Sequence, residues 1–131
     1  MIVLDTHTLV WWVNGDPALS KKARALLGKE SAGGEIVISS ISAWEIAMLV
    51  ARRRLVLSMD VSGWLATVKQ IEAVRFVPVD VEVATKSVEL PGEFHSDPAD
   101  RIIVATARML AAPLVTKDVR IRAYAHVKTV W

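Results

Sequence analysis

His95-Ser96-Asp97-Pro98-Ala99-Asp100-Arg101-Ile102-Ile103-Val104-Ala105-Thr106-Ala107 is the stretch on which the reading of this chain turns. It opens as a polar loop. Asp97 then offers a capping side chain, Pro98 suits the first helical position, and Asp100 places an acid in the first turn, so a helix starts here. Its continuation is almost wholly apolar, and a helix with so little polar surface is buried round most of its circumference. Its amino end therefore lies against the core with two carboxylates beside it, which is a place to hold something cationic.

Upstream of this helix, short β-forming runs alternate with helical periodicities. Met1 to Leu4 reads as a buried strand ended by Asp5-Thr6, and Thr6 to Val13 as a short helix broken at Asn14-Gly15-Asp16-Pro17. Ala18 to Lys29 carries Leu19, Ala23, Leu26 and Leu27 at helical spacing, and Gly33-Gly34 marks the following turn. Glu35 to Ser39 is a second strand. Ser42-Ala43-Trp44-Glu45 then fits a capping box that opens a helix running to about Arg53. The triplet Arg52-Arg53-Arg54 suits that helix's carboxyl end; a phosphate-binding patch is the other reading. Val61 to Val74 is predicted as a helix, Arg75 to Val79 as a strand and Val81 to Leu90 as a helix. Downstream, Ala112 to Thr116 reads as a strand ended by Lys117-Asp118, Val119 to His126 as one or two helical turns, and Val127 to Trp131 as an edge strand.

This alternation predicts an α/β/α sandwich around a mostly parallel sheet of about four or five strands. The chain of 131 residues suits one domain over 1–131. Hydrophobic residues make up 53% of it and the mean hydropathy is +0.37, so either the core is large or a partner covers part of the surface. The apolar run Ile46 to Ala51 is far shorter than the about 20 residues of a membrane span. Nothing resembles a secretory leader, and the absence of cysteine excludes a disulfide framework and a thiolate metal site, so a cytoplasmic location is expected. The formal charge of +2 permits an anionic partner without requiring one.

Parallel α/β sheets bind ligands at the carboxyl ends of their strands, where strand order reverses. Asp5, Glu45, Asp100 and Asp118 each follow a strand or open a helix, so all four are expected on that one edge. Any one of them could be a simple helix cap. Together they would repel one another and raise each other's pKa values unless a cation neutralised them. An all-oxygen set without cysteine suits a hard ion, Mg²⁺ or Mn²⁺. Such a site fits phosphodiester hydrolysis, in which the ion lowers the pKa of water so that hydroxide attacks phosphorus, with no nucleophilic side chain required. Thr6 and Thr116, beside Asp5 and Asp118, could hold water or an acid through their hydroxyls. Asp97 is expected to be a helix cap and supporting acid, Arg101 to touch phosphate or pair with an acid, and His7 and His95 to be polar surface groups or substrate contacts.

Strand-Asp5-Thr6, Ser42-Ala43-Trp44-Glu45, the loop and helix from His95 through Ala107, and Thr116-Lys117-Asp118 together resemble the PIN-domain ribonucleases, and among them the VapC-like toxins of toxin-antitoxin pairs. The likeness covers essentially the whole chain. One position departs: Ala99 stands where relatives with this loop commonly carry a bulky aromatic residue. The resemblance implies that Asp5, Glu45, Asp100 and Asp118 are the catalytic and metal-holding acids of a Mg²⁺- or Mn²⁺-dependent endoribonuclease. It also implies an RNA substrate such as transfer or ribosomal RNA, a small antitoxin partner and a homodimer, for whose interfaces Trp11, Trp12, Trp44 and Trp64 are the kind of anchors needed.

Three other readings compete. A haloacid-dehalogenase-type phosphatase needs a second Asp two residues after the first, where His7 stands. A receiver-type signalling domain needs an acidic pair near Asp5 and an acceptor Asp after the second strand, and Ser39-Ser40 offers none. A catalytically silent RNA-binding module of the same fold would not require the full acid set.

Overall fold

Side chains that alternate in and out along the first strands generate two cores, one on each face of a single sheet. In the computed structural model, which describes residues 1–131, β1 (Ile2–Leu4) and β2 (Ile36–Ser39) are buried throughout. Ile2, Leu4, Ile36 and Ile38 enter one hydrophobic cluster, while Val3 and Val37 enter the other. A strand buried on both faces belongs inside a parallel sheet with helices on either side. With β3 (Val74–Val77), β4 (Leu114–Val115) and β5 (Thr129–Val130) these form a five-stranded sheet in the order β3-β2-β1-β4-β5. All four pairings are parallel, with Leu4 opposite Ile38 on one side and Val115 on the other. The chain winds outward from β1 to β3, then returns to place β4 on the opposite flank of β1. Strand order thus reverses between β1 and β4, and a crevice opens at their carboxyl ends.

The first core lies under α1 (Thr6–Asn14), α2 (Lys21–Ser31), α3 (Ile41–Ala51) and α4 (Val61–Lys69), which contribute Leu9, Leu27, Ile46 and Trp64 among others. Gly15, at φ +65°, closes α1 in the left-handed conformation that its lack of a side chain allows. The second core includes Ile103, Val104, Ala105 and Ala107 of α6 (Pro98–Met109) and Ile121 of α7 (Val119–Arg122), with α5 (Val81–Val88) packed beside α6. The architecture is therefore an α/β/α sandwich. No helix is long and apolar enough to cross a membrane.

Several elements differ from their sequence-based prediction. The Val61–Val74 periodicity forms a helix only to Lys69, because Val74 is drawn into the sheet opposite Ile36. Helix α2 begins at Lys21 rather than Ala18, since the Ser20 hydroxyl caps it by accepting from Ala23 N at 3.0 Å and Asp16 ties down the preceding turn through Ala18 N. The Ser42–Glu45 capping box does not form. Helix α3 starts at Ile41, Ser40 makes no side-chain cap, and Ser39 Oγ instead accepts from Ile41 N at 3.2 Å. Trp64, expected as an interface anchor, is only 3% exposed and belongs to the core, whereas Trp44 is 56% exposed.

The segment between α5 and α6 has no regular structure, yet it is fixed. The Arg101 guanidinium donates to four backbone carbonyls, those of Ser87 (2.8 Å), Val88 (3.2 Å), Phe94 (3.0 Å) and His95 (3.2 Å). The Tyr124 hydroxyl donates to Pro91 O at 2.5 Å and its ring packs on Phe94. A planar, permanently charged fork suits this task, and a lysine at the same position could satisfy only part of it. Arg101→Lys is accordingly expected to lower unfolding stability by about 2 kcal/mol in a urea titration; a change within the error of the measurement would show that the guanidinium fork is not what fixes the segment.

Candidate active site

At the carboxyl end of β1, Asp5 is nearly buried, at 7% exposure, and serves two neighbours at once. One carboxylate oxygen accepts from Thr8 N at 2.9 Å and so caps α1; the other accepts the hydroxyl of Thr116, at the carboxyl end of β4. Thr116 is fully buried, and its oxygen also accepts Asp118 N at 3.0 Å. A single threonine thus couples the two strand ends that flank the reversal of strand order.

Glu45 arrives from α3 and is held in the same way. Its carboxylate accepts the hydroxyl of the buried Thr6, the first residue of α1. Ser42 Oγ lies 2.9 Å from the same threonine oxygen. A hydroxyl has one proton to give, so with Thr6 donating to an ionised Glu45, Ser42 is the donor to Thr6. The two residues expected to cap α3 together instead form a buried relay that orients Glu45.

Helix α6 brings the next two acids. Asp97 is its N-cap, accepting from Asp100 N at 2.9 Å, and Pro98 opens the helix as expected. Asp100 projects from the first turn. Its Oδ2 lies 3.1 Å from His95 Nε2 and 3.9 Å from the Arg120 guanidinium, which also stands 3.7 Å from Asp118. Asp118 caps α7 through Arg120 N at 2.8 Å and Ile121 N at 3.1 Å. Asp5, Glu45, Asp97, Asp100 and Asp118 thereby line one cleft of ≈ 530 Å³, together with Thr6, His7, Trp11, Lys117, Val119 and Arg120.

Burial, together with crowded charge, leaves a signature in the proton affinities. Burial, and then Asp97, Asp118, Glu45 and Asp5, push the Asp100 carboxyl up to about 7. Glu45 is raised as well, chiefly by burial, against the lowering effect of its bond from Thr6. His95 is lowered, first by burial and then by the Arg120 charge. Neither ring nitrogen of His95 makes an aligned hydrogen bond despite the 3.1 Å approach to Asp100, so the two are packed neighbours rather than a charged pair.

The donor set consists of carboxylates and hydroxyls, the chemistry of a hard divalent cation. No three of the acidic and histidine side chains converge into a ready-made ligand cage. Of the residues singled out in the sequence, Arg101 lies apart from the cleft, with its guanidinium committed to backbone carbonyls. Arg120, Lys117 and the supporting role of Ser42 were not foreseen. Arg120 stands two positions after an acid that opens a helical turn, which is the only sequence signal pointing to it.

An all-parallel α/β/α sheet with five acids gathered at its point of strand reversal is the architecture of a PIN domain, and the PIN-domain profile matches residues 2–127; the chain belongs to the PIN-domain family. Within it, the chain is 37% identical to ribonuclease VapC22 of Mycobacterium tuberculosis over 132 residues, covering 99% of this chain and 98% of that protein. Its fold is shared with VapBC2 from Rickettsia felis bound to a DNA fragment from its promoter, at a TM-score of 0.70, 18% identity and coverage of 99% and 98% of the two chains. It is shared also with M. tuberculosis VapC20, a sarcin-ricin-loop-cleaving toxin, at a TM-score of 0.69, 19% identity and 98% coverage of each chain. The resemblance to VapC-like toxins drawn from the sequence therefore holds.

The raised Asp100 pKa makes a signed prediction. A carboxyl whose folded-state pKa lies above its unfolded value of 3.8 binds its proton more tightly when folded, so its ionisation costs stability. That cost is absent below the unfolded pKa, grows as pH rises, and is complete above about 7. Without divalent ions, Asp100→Asn should therefore be more stable than the wild type by roughly 1–3 kcal/mol at mildly alkaline pH, with the gain vanishing toward the unfolded pKa. Thermal unfolding in EDTA across that range checks it, and a gain independent of pH would contradict it.

Proposed function

We propose that this chain is an endoribonuclease toxin that hydrolyses RNA phosphodiester bonds in a Mg²⁺- or Mn²⁺-dependent manner and is neutralised by a small cognate antitoxin. Residues 1–131 would act as one PIN domain, cytoplasmic and paired as a homodimer, with transfer or ribosomal RNA as the class of target. The observation that carries this reading is the cleft where Asp5, Glu45, Asp100 and Asp118 meet, their charge only partly offset by Arg120. The 37% identity to a VapC ribonuclease supports it.

In this reading those four acids would hold a divalent cation, directly or through its waters, and such an ion would offset their charge and supply an activated water and a counter-charge for the leaving oxygen. The chain's own residues do the rest. Thr116 fixes the rotamer of Asp5 and ties it to the Asp118 backbone, while Thr6, backed by Ser42, aims Glu45. Asp97 fixes the first turn of α6 and so the direction in which Asp100 projects. Arg120, ion-paired with Asp100 and Asp118, is free to turn to a phosphate once those acids have another partner. Exposed Trp44, Val81, Val88 and Val119 provide apolar surface for a second copy or the antitoxin to cover.

Antitoxin-free protein incubated with a fluorogenic mixed-sequence RNA is expected to cleave it with Mg²⁺ or Mn²⁺ and to lose all activity in EDTA or as Asp100→Asn. Cleavage that survives either treatment would overturn the proposed chemistry. Thr116→Val, which keeps the side-chain shape but removes the donor to Asp5, should lower activity by about 10–100-fold with little change in fold. Full activity in that variant would show that Asp5 needs no such support. A monomer in sedimentation across micromolar concentrations would remove the homodimer.

A further inference from the structure

Above its acidic floor the cleft changes chemistry. His7 and Trp11 stand one turn apart on α1, their ring centroids 5.8 Å apart and tilted by 49°. Trp131 packs on the same indole at 5.8 Å and 57°. The ammonium of Lys117 lies 5.8 Å from the centroid of Trp11, within cation–π range. His7 and Lys117 are exposed and Trp11 is half-buried, and all three line the cleft that holds the acids. Lys117 sits between Thr116 and Asp118, so its backbone is fixed by the same hydrogen bonds that order the acids.

A floor of carboxylates repels a polyanion, so a strand reaching it needs a cation at the rim. Single-stranded nucleic acid is gripped by positive charge along the backbone combined with aromatic rings under the bases. This wall offers both within one nucleotide's reach. We propose that His7, Trp11 and Lys117 form a subsite for one unpaired nucleotide of an RNA strand, Lys117 contacting its phosphate and the tilted His7 and Trp11 rings making one stacked and one edge contact with its base. The assignment rests on the RNA-hydrolase reading of the acid cleft. It selects loops, bulges and strand ends over duplex, whose bases are already stacked on one another.

The test uses fluorescein-labelled hexauridylate and the same hexamer built of abasic riboses, with binding read by anisotropy in Mg²⁺. All proteins carry Asp100→Asn so that the strand is not cut. The base-bearing oligomer should bind about fivefold or more tightly than the abasic one, the effect of stacking a single base. Trp11→Leu and His7→Ala should each abolish or sharply reduce that preference, and His7→Ala, at an exposed position, decides the matter if Trp11→Leu does not fold. Lys117→Gln should weaken both oligomers alike and reduce the salt dependence by about 0.7 in logarithmic slope, the value for one lost phosphate contact on a single strand. Equal binding of the two oligomers, or none at all, overturns the subsite. So does a preference retained by both aromatic variants, which would leave the wall to a protein partner. Mixed-RNA cleavage by protein with Asp100 intact separates the two readings: cleavage without base preference removes the subsite alone, and base preference without cleavage removes the hydrolase alone.

Discussion

Mutual repulsion among carboxylates that cannot move apart is the constraint from which the behaviour of this molecule follows. Asp5, Asp97 and Asp118 each cap a helix through a hydrogen bond to its backbone, and Asp100 stands in the first turn of the helix that Asp97 caps. The bonds that start α1, α6 and α7 thus also fix the direction of the acids. Relaxing the cleft would require undoing caps worth on the order of 1 kcal/mol each. The fold keeps them, and Asp100, half-buried among the acids, holds its proton unusually well, first because of that burial and then because of its acidic neighbours.

Two threonines make this tolerable. Thr6 and Thr116 are fully or nearly buried, and each donates its hydroxyl to one acid, Glu45 and Asp5 respectively. Each comes from an element beside the reversal of strand order, so sheet topology and site geometry are set by the same few bonds. Arg120 reaches into the cleft with positive charge from an exposed position, where its ion pairs are weak and exchangeable. Arg101 works at a distance instead, holding the segment that carries His95 so that the imidazole closes one side of Asp100.

Much of the fold could be read from local pattern. The start of α6 agreed in cap, proline and first-turn acid, because all three signals act within four residues. The strands at Met1 and Glu35 and the alternation that implied a parallel sheet were equally local. Residues that served two masters were misread. Ser42 and Glu45 have the spacing of a capping box, yet a buried hydroxyl on α1 competes for both and wins. Val74 continues a helical period but finds a strand partner in Ile36. Arg101 follows an acid in sequence, although its own charge is satisfied by carbonyls from another segment.

By itself the sequence determined the layered α/β class and the position of Asp5 at a strand end and of Asp97, Asp100 and Asp118 at helix starts, whereas Glu45 stands beyond the first turn of α3. The first set depends on periodicity, capping and the edge to which parallel strands deliver their carboxyl termini. Only the tertiary structure decided which hydroxyl serves which acid, that Arg120 rather than Arg101 faces the carboxylates, that Trp64 is core, and that Trp11 joins His7 and Lys117 on the wall above them. These are contacts between residues as far as 111 positions apart. Local sequence carries no record of such pairings, because they exist only once the sheet has brought the ends of β1 and β4 together.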